Sequence, residues 1–119
     1  MLKTHFDAIY QAALELNVDM LTVAIRDGCI DVWKQGSNYY SAATQLAKDG
    51  QRSKAEWLIN LGANINYAAY GAALGGHRVY AEELLPRGAS INTVASGAAL
   101  GGHHAYAEEL LAVGQVSIT

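Results

Sequence analysis

The chain has 119 residues, 51% hydrophobic and 16% charged, and eight basic against eleven acidic side chains leave a net charge of −3. That length suits one domain burying about two-thirds of the surface its unfolded chain exposes, and the apolar content excludes a disordered chain. Lys and Arg are scattered along the sequence, which argues against a nucleic-acid partner, and no apolar run reaches the roughly 18 residues of a membrane span.

The opening stretch, "MLKTHFDAIYQAALEL", lacks the long apolar core of a secretory signal, so a soluble protein is expected. Phe6, Ile9, Ala13 and Leu16 stand at helical spacing with Asn17 after them. Residues 1–17 therefore read as a capping helix over the apolar face of whatever follows. Cys29 is the only cysteine, which excludes an internal disulfide and suits a reducing compartment; between Gly28 and Ile30 it reads as a small apolar group rather than a nucleophile.

From Met20 onward the chain repeats itself. "MLTVAIRDG" (20–28) parallels "AATQLAKDG" (42–50), and one constant shift aligns Gly50, Gly76 and Gly102, Ala55, Ala81 and Ala107, and Glu56, Glu82 and Glu108. "GAALGGHRVYAEELL" (71–85) returns almost unchanged as "GAALGGHHAYAEELL" (97–111). Fixed self-similarity of this length predicts a stacked helical array: a degenerate first repeat over 18–37, then repeats over 38–66, 67–92 and 93–119.

Each repeat breaks at glycine into two segments of about ten residues, the length of a short helix. Ala68, Ala69, Ala72 and Ala73 make a stripe with almost no bulk, and Gly71 and Gly97 fit a helix interior only if a neighbouring backbone comes close. Ala81, Leu84 and Leu85 recur at three- and four-residue spacing in the second segment, with Glu82 and Glu83 opposite. Gly75-Gly76 and Gly101-Gly102 supply the positive φ of a hairpin turn, and Asn66 and Asn92 are placed to cap the next helix. Pro86 should shorten the helix it follows. Strand signals are nearly absent, so the fold class is all-α, a single domain built as a short stack of antiparallel helical hairpins.

"AALGGHRVYAEELLPRGASIN" (72–92) resembles the ankyrin repeat family: an alanine-rich helix, the Gly76-His77 turn, paired Leu84-Leu85, and the loop Gly88-Ala89-Ser90-Ile91-Asn92. Gly102-His103, Leu110-Leu111 and the loop 62–66 repeat parts of it. The family period is about 33 residues, with a Thr-Pro-Leu-His opening and a β-hairpin finger. This chain has a shorter period, Gly76 to Gly102, and neither of those features, so ankyrin-like repeats without fingers are expected. The resemblance extends to short bacterial effectors delivered into host cells. In size and helical-repeat character the chain is also similar to small Legionella effectors that inhibit ubiquitin-modifying enzymes of the deamidase and transglutaminase type. What this implies is a non-enzymatic inhibitor whose partner is another protein, an enzyme, located in the bacterial cytoplasm and translocated into a host cell.

The rival reading is a metal-binding or hydrolytic protein using His77 with Glu82 and His103 with Glu108. A His and a carboxylate five residues apart point about 140° apart on a helix, so that spacing does not build a one-face metal site. Glu82-Glu83 and Glu108-Glu109 near helix starts read as a solvated face, and no nucleophile elbow, phosphate loop or zinc spacing occurs. No catalytic residue, metal or cofactor is therefore expected.

Aromatic residues carry the candidate site. Tyr80 and Tyr106 repeat in register and read as packing between repeats, whereas Tyr67 and Tyr70 give way to Thr93 and Ser96 one repeat on. Together with Trp33, Tyr39 and Tyr40 they form the expected partner-binding set, since Tyr and Trp favour protein interfaces. The C-terminal repeat lacks a polar cap, so Leu110, Leu111, Val113, Val116 and Ile118 are the expected homodimer interface.

Overall fold

The computed structural model describes the backbone of residues 6–118 and the side chains as far as Ala112. Among the described residues there are eight α-helices and no strand: α1 (Phe6–Leu14), α2 (Val18–Arg26), α3 (Ala42–Lys48), α4 (Arg52–Asn60), α5 (Ile65–Leu74), α6 (Arg78–Leu84), α7 (Ile91–Leu100) and α8 (His104–Ile118). α3, α5 and α7 stack side by side as one row, and α6 and α8 fold back on α5 and α7. The result is elongated, 46 × 25 × 20 Å. None of the described helices is long and apolar enough to cross a membrane.

α1 buries Phe6, Ile9, Ala12 and Ala13 against α3 and α4. Leu16, at φ 56°, turns the chain, and the Asn17 side chain accepts the Met20 N–H at 3.1 Å to open α2. The expected second segment of the first repeat is not a helix. Residues 27–41 are turns and irregular backbone, closed by Lys34 N–H to the Tyr40 carbonyl at 2.7 Å and Ser37 N–H to the Lys34 carbonyl at 3.0 Å. The segment is shorter than its counterparts in later repeats and has Gly28 and Gly36 at positive φ, which leaves too little chain to close a helical hairpin.

The alanine stripe does what its size allows. Ala68, Ala69, Ala72 and Ala73 are buried, and α5 lies so close to α3 that a Cβ on Gly71 would collide with the backbone of Thr44. One repeat on, a Cβ on Gly97 would meet the Tyr70 carbonyl oxygen at 2.5 Å. The paired glycines divide their work. Gly76 (φ 80°) carries the left-handed turn, and Gly75 has an ordinary φ of −84° but no room for a side chain, because the Lys48 carbonyl fills it. His77 N–H to the Ala72 carbonyl at 2.8 Å closes the helix end.

His77 then spans two repeats, its Nε2 lying 2.9 Å from the Lys48 carbonyl. Replacing His77 with alanine removes that bond and should cost about 1 kcal/mol. Thermal melts of the two proteins check this, and equal midpoints would deny His77 a bridging role.

Two local expectations are corrected. The caps of α5 and α7 are Asn64 and Ser90, two residues before Asn66 and Asn92, and Asn66 instead accepts the Ser90 N–H at 2.7 Å across the repeat. The stretch "VGQVSI" (113–118), whose likeness to the loops "LGANIN" (61–66) and "RGASIN" (87–92) predicts a further loop, is the last part of α8, which runs 15 residues. A lone Gly114 costs a helix only about 1 kcal/mol, and no glycine pair follows it. α6, by contrast, ends at Leu84, two residues before Pro86.

Glu82, Glu83, Glu108 and Glu109 are exposed, and Glu83 and Glu109 also tie the repeats together. Arg52 pairs with Glu83, and Arg78 pairs with Glu109 at 2.8 Å, each reaching from one repeat to the next. The same guanidiniums lie 4.7 and 4.5 Å from the ring centroids of Tyr80 and Tyr106. Tyr80 and Tyr106 are buried. The Tyr80 hydroxyl donates to Glu56 at 2.6 Å, where Arg87 also donates at 2.9 Å.

Partial burial pushes the Glu56 carboxyl up, but the bonds from Arg87 and Tyr80 outweigh it and hold it below the usual carboxylate range. A lowered folded pKa means stability present at neutral pH and lost as pH falls through that value. Glu56→Gln should cost about 1 to 2 kcal/mol at pH 7 and flatten the acid limb of stability against pH. Urea unfolding from pH 7 down to pH 3 reads both, and parallel curves for the two proteins would refute the assignment. Burial, with Glu56 second, raises the Tyr80 phenol, so its contribution fades on the alkaline side as the unfolded chain releases that proton.

Candidate functional site

Four of the five aromatic residues singled out from sequence meet. The Trp33 indole N–H donates to the Tyr67 hydroxyl at 3.0 Å, the Tyr67 ring lies 4.4 Å from that of Tyr39, and Tyr70 meets Tyr39 edge-on at 5.4 Å. Two elements supply them: the irregular segment 27–41 and the first turns of α5. Tyr39 is held at φ 57°, a left-handed conformation that costs a bulky residue about 1 kcal/mol or more and persists only when neighbours enforce it. Its two ring contacts are that enforcement. The segment is anchored at its other side by Asp31, whose carboxylate accepts the Asn64 N–H at 3.0 Å, at the start of α5. Burial raises the Asp31 carboxyl while that bond lowers it, and burial prevails.

Beside Tyr39 and Tyr70 opens a groove of about 330 Å³ lined by Asn38, Thr93, Ser96 and Leu100 as well. Its origin is the departure from strict repetition. Thr93 and Ser96 stand one repeat after Tyr67 and Tyr70, and the space the two missing rings would fill is the groove. Trp33 is 44% exposed and Leu100 is 70% exposed, so the surface presents apolar area with hydroxyls set in it. Burial raises the Tyr70 phenol, which keeps its proton and its capacity to donate. None of the described lining residues is charged.

Tyr40 stands at the edge of this cluster. Its ring packs 6.1 Å from Phe6 and its hydroxyl donates to Gln45 at 2.7 Å, with the Lys34 ammonium 5.4 Å from its ring centroid. It serves the joint between α1 and α3. Asn38, Thr93, Ser96 and Leu100 fall outside the set expected from sequence. The signal that finds them is the replacement of Tyr67 and Tyr70 by small hydroxyl residues in the following repeat.

The expected dimer set is divided. Leu110 is buried in its own core at 5% exposure, because it holds the register position of Leu84, and it offers nothing to a second copy. Leu111 is 49% exposed. The side chains of Val113, Val116 and Ile118 lie outside the described residues. His77 is committed to Lys48, and Glu82 and Glu109 to Arg78. Among the described residues no three His, Cys, Asp or Glu side chains gather as metal ligands. Cys29 is half-buried, its Sγ 3.5 Å from the Asp27 carbonyl.

Fold and surface together define an all-α protein of packed helical hairpins, compatible with a helical repeat. Compared with known protein families, curated proteins and solved structures, the chain matches none.

Proposed function

We propose that this protein is a non-enzymatic interaction module that binds another protein through the surface formed by Trp33, Tyr39, Tyr67, Tyr70 and the adjoining groove. The observation that carries this reading is the Tyr39 conformation. A strained tyrosine held between two others, next to an uncharged groove that repetition would have filled, is a built surface rather than residual packing. Tyr and Trp supply large contact area at low entropic cost, and half-buried hydroxyls give it direction. The lining suits an uncharged, apolar segment with a few hydrogen-bonding groups.

The finer reading rests on resemblance alone, to ankyrin repeats and to small inhibitory effectors: an effector-type inhibitor whose partner is an enzyme, of the ubiquitin-modifying kind. Its test is capture of the partner from the native source with wild-type protein and with Thr93→Trp, which fills the groove from a half-buried position in its lining. A partner retained by the wild type and lost by T93W supports the surface. A partner retained equally by both refutes it, and an enzyme whose activity is untouched by stoichiometric protein refutes inhibition.

A further inference from the structure

The joints α3–α5 and α5–α7 share a close glycine contact, a histidine ring set beside the preceding repeat's glycine and an arginine–glutamate pair, the α5–α7 joint adds an asparagine, and α7 with α8 presents one half of each without the other. On α5, Ala73 is buried under α7, whereas its counterpart Ala99 is exposed; Leu74 is half-buried, whereas Leu100 is 70% exposed. A Cβ on Gly76 would meet the His103 ring at 2.8 Å, and one on Gly50 would meet His77 at 3.4 Å, yet among the described residues nothing lies within 4 Å of a Cβ on Gly102. Asn66 accepts the Ser90 N–H of the next repeat, and Asn92, its counterpart, is exposed. Arg52 and Arg78 each reach a carboxylate in the following repeat, and the position corresponding to them is held by exposed His104.

From this continuity with the α5–α7 joint we infer that the end face of Asn92, Ala99, Leu100, Gly102 and His104 is a docking site for a helical hairpin of the Gly-x3-Gly-Gly-His type carried by a partner protein. The complement is specified residue by residue. A glycine must sit over Ser96 to let the helices touch, as Gly97 does over Tyr70. A histidine must follow the glycine pair to fill the space at Gly102 and reach the Leu100 carbonyl, as His77 reaches Lys48. A glutamate on the second helix must face His104. A second copy of this chain fits less well: its α3 face is covered by α1, and its α5 and α7 glycine faces are already buried under α3 and α5, so it has no free glycine-faced hairpin to offer. Ser96 and Leu100 belong both to this face and to the aromatic groove, but the inference does not depend on that groove binding anything.

The test fuses a copy of residues 64–90, a complete hairpin with its glycines, His77 and Glu83, to the C-terminus of the full chain through a flexible Gly-Ser linker of about 20 residues. Tethering holds the hairpin at millimolar effective concentration. The melting temperature should rise by about 5 °C. The rise should vanish when the appended copy carries Gly71→Leu and Gly75→Leu, and when Ala99→Arg is placed in the host. A fusion that melts with its leucine control overturns the inference, as does a rise that survives Ala99→Arg. A dimer of the unmodified chain that Ala99→Arg dissolves would give the face to a second copy and overturn it as well.

Discussion

Gly71→Ala should destabilise the protein by about 2 to 3 kcal/mol, and Gly71→Leu should leave it unfolded at room temperature. In an exposed helix the alanine would gain about 1 kcal/mol, so the sign of the result is itself diagnostic. The added methyl points at the Thr44 carbonyl oxygen, with the Thr44 carbonyl carbon 2.8 Å and Cα 2.9 Å away. These are backbone atoms, and no rotamer change relieves the clash. α5 would have to withdraw from α3, uncovering Ala43, Ala47, Ala68 and Ala72, all within 1% of full burial. Alanine side chains have no reach with which to refill such a gap. Urea unfolding followed by circular dichroism gives the difference directly. A Gly71→Ala protein within about 0.5 kcal/mol of wild type would show that the helices can separate freely, contrary to the packing described.

Tyr70→Ala should weaken binding of the partner about 30-fold, about 2 kcal/mol, and Trp33→Ala should do so to a similar degree. Tyr70 forms one wall of the groove and props Tyr39, so its loss removes contact area and frees a strained residue to relax. Trp33 fixes the Tyr67 hydroxyl from the exposed side. Because the two residues join one cluster through Tyr39 and Tyr67, the double variant should fall short of the summed loss. Val79→Ala, 69% exposed on α6, is the matching control and should change affinity less than twofold. Titration calorimetry with the captured partner compares these four variants with the wild type. Affinities unchanged for Tyr70→Ala, with helical content intact, would remove the aromatic surface from the binding reaction.

Much of the local architecture was legible. The repeat period, the glycine pairs, the alanine stripe and the Gly-His turn place helices, turns and close contacts, because each depends on side-chain size or backbone freedom close by in the chain. Gly71 illustrates the logic: a helix-breaking residue inside an otherwise helical pattern implies a neighbour close enough to repay it, and Thr44 is that neighbour. The misplaced caps show the limit. Asn66 has the right chemistry for an N-cap, but its acceptor is used by the distant Ser90 N–H, while Asn64 accepts from Asn66 N–H locally. Residues 113–118 copy the loop pattern loosely, and without a second glycine nothing there stops α8.

By itself the sequence determined where this backbone bends, which faces are small, and that the fold is all-α. Those are properties of neighbours along the chain, decided by propensity and bulk. Only the tertiary structure decided that Trp33, Tyr39, Tyr67 and Tyr70 are one surface, that Tyr40 is not at its centre, and that Leu110 belongs to the core. The arginine–glutamate rungs between repeats belong with them. These depend on the angle at which one hairpin stacks on the next, which is set by the sum of many weak contacts and by an irregular segment whose path no periodicity records.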